Sequence, residues 1–149
     1  MNVVNNHSDS YNLRPLTTSD FDNVITLWRS TDGMSQLESP EELQRFLDRN
    51  PDCSILAEED GVLLGAILCG HDGRRGYMYH AAVSVYARGR GVGRAMVEHC
   101  VARLKQLQIQ RLTLFTLNDN CPAKEFWKHL GFRQRNDISL FALDLKEFD

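Results

Sequence analysis

Apolar and polar residues change period several times along the chain, and each change predicts an element. Tyr11 to Leu16 alternates as a half-buried strand does. Thr17 and Asp20 have capping-box spacing ahead of Phe21, Val24, Ile25 and Trp28, which share one helical face. Residues 30–38 are polar, contain Gly33 and predict a loop. Ser39-Pro40-Glu41-Glu42 combines a capping serine, a proline at the first helical position and a glutamate three residues on. The helix it opens carries Leu43, Phe46 and Leu47 and stops at Pro51.

Three strands follow, Cys53 to Ala57, Val62 to Cys69 and Tyr77 to Val85, joined by short polar turns that imply antiparallel neighbours. The period then becomes helical, with Val92, Met96, Cys100 and Leu104 in one stripe and Val97 and Val101 beside it. Arg111 to Leu117 predicts a strand reached by a parallel crossover, residues 121–130 a helix stopped by Gly131. Phe132 to Arg135 and Ser139 to Leu145, with Asn136-Asp137 as their turn, predict a closing hairpin. The fold class is α/β: a mixed, largely antiparallel sheet of six or seven strands flanked by about four helices.

A chain of 149 residues is long enough to bury one sizeable core. Residues 1–10 predict a loose arm and 11–149 a single domain. The net charge of -3 lacks the basic excess of a nucleic-acid binder. No apolar run approaches the ~20 residues that cross a bilayer, and Met1 to Ser10 lacks the apolar core of a signal peptide. A cytoplasmic location with no nucleic-acid or membrane partner is expected. Cys53, Cys69, Cys100 and Cys121 form no C-x-x-C pair and have no histidine at zinc-site spacing, so no metal is expected. The first three sit in apolar stretches and predict buried free thiols.

The segment Arg88-Gly89-Arg90-Gly91-Val92-Gly93 lies between a strand and a helix start. Unpaired N–H groups and the positive end of the helix dipole converge there, where a phosphate binds readily. Arg88, Arg90 and Arg94 add positive charge; the bland alternative is a flexible loop with a solvated basic rim. No G-K-[ST] triplet makes it a Walker A loop. Its G-x-G-x-G spacing is not the dinucleotide G-x-G-x-x-G, and it follows an antiparallel meander.

With these residues in place, the chain resembles the GNAT superfamily of N-acyltransferases. Arg88 to Gly93 matches that family's pyrophosphate motif, [QR]-x-x-G-x-[GA], and Ala81 to Ala87 resembles the apolar segment before it. Asn120 opening the late helix and Leu130-Gly131-Phe132 closing it match a second motif. The resemblance covers residues 11 to 145. It implies an acyl-CoA donor, usually acetyl-CoA, with the pyrophosphate on Arg88, Gly89, Arg90, Gly91, Val92, Gly93 and Arg94. It implies backbone contacts from Val83 and Val85 to the pantetheine arm, and an N–H near Val83 facing the oxyanion. Asn120 would lie near the arm, although a helix cap explains it as well.

The implied acceptor is a primary amine of a small molecule or peptide, attacking directly in a ternary complex; a homodimer is compatible with the resemblance. Relatives often protonate the thiolate with a tyrosine of the late helix, and the matching position is Trp127, which cannot transfer a proton near neutral pH. The strands Tyr77 to Val85 and Arg111 to Leu117 carry no carboxylate to act as base; Tyr77, Tyr79 and His80 remain on the first, with Tyr79 and His80 the candidate catalytic residues and a base acting through ordered water the alternative. By strict alternation Tyr77 and Tyr79 share one face and His80 takes the other. Trp28, the loop 30–38 and the turn His71 to Gly76 are candidate rims of the acceptor site. A non-catalytic acyl-CoA-binding module is the alternative function.

Overall fold

The computed structural model describes residues 10–31, 33, 34 and 37–147, so nearly all of the expected N-terminal arm and three positions of the loop 30–38 lie outside the described residues. The chain divides after Leu117 into two compact units. In the first unit, β1 (Asn12–Pro15), β2 (Ile55–Glu59), β3 (Val62–His71), β4 (Gly76–Val83) and β5 (Leu112–Leu114) form one sheet in that order. β1 to β4 are antiparallel neighbours. β5 pairs parallel to β4, as the intervening α3 (Val92–Gln106) requires.

Helices α1 (Phe21–Arg29) and α2 (Pro40–Arg49) cover one face, where Val24, Ile25, Trp28 and Leu43 pack with Leu56, Ala66, Leu68 and Ala82. α3 covers the other and buries Val92, Met96, Cys100 and Leu104, the stripe its periodicity predicts. Cys53, Cys69 and Cys100 are buried free thiols as expected. A hydrogen bond with Cys69, then burial, holds the Cys100 thiol well above its ordinary range, which keeps it unreactive.

The spacing of Thr17 and Asp20 serves more than a cap. Asp20 accepts from the Thr17 N–H at 2.9 Å and from the Arg14 guanidinium at 3.0 and 2.7 Å, tying β1 to the start of α1. Burial pushes the Asp20 carboxyl up, but Arg14 and Thr17 outweigh it and leave it below its usual value. A depressed acid stabilises the fold above its unfolded pKa and loses that contribution as pH falls through the folded one. Asp20→Asn is therefore expected to cost about 1–3 kcal/mol at neutral pH. In urea unfolding, that difference should shrink progressively below about pH 4.

Two expectations are corrected. The sheet has five strands among the described residues, not six or seven. Neither Phe132 to Arg135 nor Ser139 to Leu145 is a strand. Ile138, Leu140, Phe141, Leu143 and Leu145 are all more than half exposed, and a two-stranded hairpin with no buried face is marginal in water. The Arg135 guanidinium grips Asp137 at 2.8 Å across the expected turn and lowers that carboxyl to about 2. β4 also stops at Val83; Val85–Ala87 is a 3₁₀ turn, so Val85 is not a strand residue.

Candidate active site

β4 organises the site through one irregularity. Its pairing with β3 steps from Ala66↔Ala82 to Leu68↔Tyr79, so β4 spends one residue more than β3, and a bulge falls at His80-Ala81. His80 adopts φ 52°, a left-handed backbone worth roughly 1–2 kcal/mol of strain in an L-residue. The bulge overturns the alternation expected for this strand. His80 turns onto the α1 face, its ring 5.0 Å from that of Trp28. Tyr79 meets Phe46 of α2 on that same side of the sheet, at 6.0 Å.

His80 Nε2 lies 3.0 and 3.2 Å from the two carboxylate oxygens of Glu38, in the loop before α2. Donation of Nε2–H to that carboxylate leaves the lone pair on Nδ1. The two side chains are only 16% and 29% exposed, so the pair is shielded from bulk water. Trp28 is fully buried, and its indole Nε1 has no hydrogen-bond partner among the described residues. Burial, then Tyr77 and Glu38, pushes the Tyr79 phenol above its usual value. Tyr79 therefore stays protonated at neutral pH: it can donate a hydrogen bond but not act as a base.

Past the bulge, β4 loses a neighbour. β5 pairs only with Gly76 to Met78, so from Tyr79 to Val83 no strand of the described residues covers that edge. The unpaired stretch presents backbone donors and acceptors to an extended ligand. It runs into the glycine loop, where Gly89 and Gly91 take φ 84° and 79° and Gly91 caps α3. The first bond into the helix is from Ala95 N–H to Gly91 C=O at 3.0 Å. Val92, Gly93 and Arg94 thus lie in the first turn, whose amides point out of the helix end.

The three arginines differ. Arg88 is exposed at the loop. Arg94 makes a solvated ion pair with Glu98 at 3.1 Å, which a ligand can displace at little cost. Arg90 is committed elsewhere, forked onto Glu59 of β2 at 3.1 and 3.0 Å and 5.8 Å from the Tyr11 ring. This pair fastens the loop to β2. Glu59→Gln and Arg90→Ala should then each weaken donor binding by up to about fivefold, the worth of one partly solvated ion pair. A free Arg90 that bound phosphate directly would instead bind more tightly in Glu59→Gln, and calorimetry separates the two.

In the second unit, α4 (Cys121–His129) is capped by Asn120, whose side chain accepts from Ala123 N–H at 3.2 Å. The helix ends in paired bonds, Gly131 N–H to Lys128 C=O and Phe132 N–H to Trp127 C=O, both 3.0 Å, with Gly131 at φ 101°. The Phe132 ring packs edge-on against Trp127 at 5.3 Å, the apolar contact that accompanies this type of helix end. Leu130-Gly131-Phe132 and Trp127 thus form one structural device.

The family model described as the acetyltransferase (GNAT) family matches residues 21–132. The chain belongs to the GNAT acetyltransferase family. An acetyltransferase of Sodalis glossinidius is 29% identical over 136 residues, covering 91% of this chain and 96% of its own. One of Pectobacterium atrosepticum is 30% identical over 129 residues, 86% and 92% of the two chains. Ard1 from Thermoplasma volcanium shares the fold at TM-score 0.72 and 17% identity, over 84% of each chain. A Clostridium acetobutylicum predicted acetyltransferase crystallised with acetyl-CoA does so at 0.66 and 20%, over 92% of this chain and 97% of that one.

Within this GNAT domain, no helix of the described residues is long and apolar enough to cross a membrane, and no group of their His, Cys, Asp and Glu side chains could hold a metal ion. Glu38 is the residue that sequence reasoning missed. β4 and β5 hold no carboxylate, whereas Glu38 arrives from 42 positions away. Its only local signal is its place beside the capping serine of α2. Asn120 and Trp127 belong to the second unit, where their visible work is to begin and end α4.

Proposed function

We propose that this GNAT-family protein transfers the acetyl group of acetyl-CoA to a primary amine by direct attack in a ternary complex. The observation that carries the reading is the division of β4 at its bulge. One side offers an open strand edge running into a glycine-capped helix start; the other offers a histidine held by a carboxylate. The acetyl-CoA bound to the Clostridium acetobutylicum neighbour supports the same donor here. The pantetheine arm extends along Val83 with the pyrophosphate over residues 88–94, Arg88 and Arg94 supplying charge and Arg90 bracing the loop.

An acceptor of lysine-like pKa, about 10.4, arrives as an ammonium and must lose a proton. Nδ1 of His80 takes it, Glu38 steadying the imidazolium that forms. The amine nitrogen attacks the thioester carbon; an N–H near Val83 faces the oxyanion. The intermediate collapses by breaking the C–S bond; the CoA thiolate takes one proton from the imidazolium, and the second proton on the attacking nitrogen leaves to solvent, so amide, CoA thiol and one released proton are the products. Tyr79 donates a hydrogen bond without changing its charge.

Calorimetric titration with acetyl-CoA, with NAD as control, tests the donor; amine-dependent CoA release tests the transfer. Micromolar binding of acetyl-CoA and silence with NAD are expected. Binding without amine-dependent release would leave a non-catalytic acyl-CoA-binding module, and no binding would sink the donor assignment.

A further inference from the structure

A row of aromatic rings leads away from His80 along the α1/α2 face. Tyr79 lies edge-on to Phe46 and 6.3 Å from Tyr77, at an interplanar angle of 19°. Tyr77 in turn lies 6.5 Å from Phe115, just beyond β5, at 12°. Three rings thus stand nearly parallel in file. Core packing does not account for them, because Tyr79 is 39% exposed and Phe115 is 54% exposed. Rings left open beside a strained histidine paired with a carboxylate point to a ligand surface.

We infer that this row is the acceptor subsite and that it selects primary amines carried on an aromatic body. The inference rests on the direct-transfer reading above. Three features commit it to that occupant. The Glu38 carboxylate, 3.0 Å from His80, draws an ammonium to the head of the row. The ring faces of Tyr79 and Tyr77 attract both a cation and a further ring, in stacked or edge-on arrangement. The row also runs away from the donor side of the bulge. From His80 to Tyr77 is three residues of strand, about 10 Å at the usual rise. With its nitrogen a hydrogen bond of about 3 Å from Nδ1, an amine whose aromatic ring lies two or three bonds behind fits within that length, over Tyr79 and toward Tyr77, with the acetyl-CoA approaching from Val83. A purely polar amine would leave the rings in water and gain only the contact with Glu38.

Initial rates at saturating acetyl-CoA test this directly, with 2-phenylethylamine, hexylamine and ethanolamine as acceptors. The expected order of kcat/KM places 2-phenylethylamine about tenfold above hexylamine, and ethanolamine lowest. A peptide amide with N-terminal phenylalanine, run beside them, tells whether the aromatic amine is taken free or on a peptide. Phe115→Ala and Phe115→Leu should raise KM for 2-phenylethylamine about three- to tenfold, with kcat nearly unchanged and the preference over hexylamine reduced. Tyr77→Ala should act in the same direction; thermal melting checks that it folds, and the exposed Phe115 stands in if it does not. Equal kcat/KM for 2-phenylethylamine and ethanolamine, or a preference untouched in Phe115→Ala, would overturn the inference. Should no amine turn over, calorimetry of 2-phenylethylamine with the CoA-loaded protein takes the place of rates, absence of heat being the overturning result. Failure of acetyl-CoA itself to bind counts against the transfer reading. Donor binding without an aromatic preference counts against the acceptor subsite alone.

Discussion

His80→Asn is expected to lower kcat about 10²- to 10⁴-fold, the usual worth of a positioned base, while leaving the Kd for acetyl-CoA unchanged. Asparagine is the informative replacement because the backbone at this position is left-handed, at φ 52°. Asparagine tolerates that conformation better than most residues, so the bulge survives and only the ring is lost. Alanine would mix the loss of a base with the strain of an unsuitable backbone. Glu38→Gln should keep a neutral partner 3.0 Å from Nε2 but no longer stabilise an imidazolium. Its expected loss in kcat is about tenfold or more, the equivalent of one charge-assisted hydrogen bond. Glu38→Asp should recover part of that rate. A kcat within about threefold of wild type in His80→Asn, too small for general-base catalysis, would reduce His80 to a packing partner of Trp28 and leave solvent to take the proton.

The parts of the fold that were legible are those in which local chemistry and tertiary burial agree. α2 begins where Ser39-Pro40-Glu41-Glu42 says it should: Glu42 N–H donates to Ser39 Oγ at 3.2 Å, and Ser39 N–H to Glu42 Oε1 at 2.8 Å. The stripe of α3 is buried because a 3.6-residue period can face a sheet in only one way. The closing hairpin failed for the converse reason. Leu140, Phe141 and Leu143 have strand character, but a strand needs a partner edge, and sequence alternation cannot name one.

The candidate site was legible at its glycine loop and obscure around His80. Glycines at the loop advertise a left-handed backbone, and Gly89 and Gly91 both adopt it. A histidine with positive φ gives no such notice. Alternation assumes one residue per position on each strand, so the extra residue at His80-Ala81 sent the predicted side chain to the wrong face. Once it turns onto the α1 face, its partner is set by the route of the loop between α1 and α2, which no motif records. Arg90 shows the same limit from the other side. Its position in the loop is part of the motif, but its guanidinium is spent on Glu59, a contact visible only once β2 is placed beside the loop.

Gly91→Val is expected to weaken acetyl-CoA binding by at least about a hundredfold, and a graded series shows why. A Cβ built on Gly91 meets no atom within 4 Å, so crowding inside the protein is not the cause. Two other costs remain. The residue sits at φ 79° as the cap of α3, and an L-residue pays roughly 1–2 kcal/mol there, more when β-branched. The second cost falls on the ligand, because a Cβ at the helix mouth occupies the space a pyrophosphate would approach. Alanine and asparagine separate them. Asparagine tolerates the left-handed backbone but fills the mouth with a larger side chain; alanine is strained but small. If strain dominates, Gly91→Asn should bind the donor better than Gly91→Ala. If close approach of the phosphates dominates, Gly91→Ala should be the better of the two, and both should bind worse than wild type. Unaltered affinity in Gly91→Val would sever the loop from the donor altogether. In every variant the melting temperature should fall by no more than the several degrees that roughly 1–2 kcal/mol of backbone strain costs, least in Gly91→Asn, since Gly91 is exposed and the buried stripe of α3 begins only at Val92. Loss of binding out of proportion to that loss of stability is therefore the signature of a loop shaped for its ligand rather than for the fold.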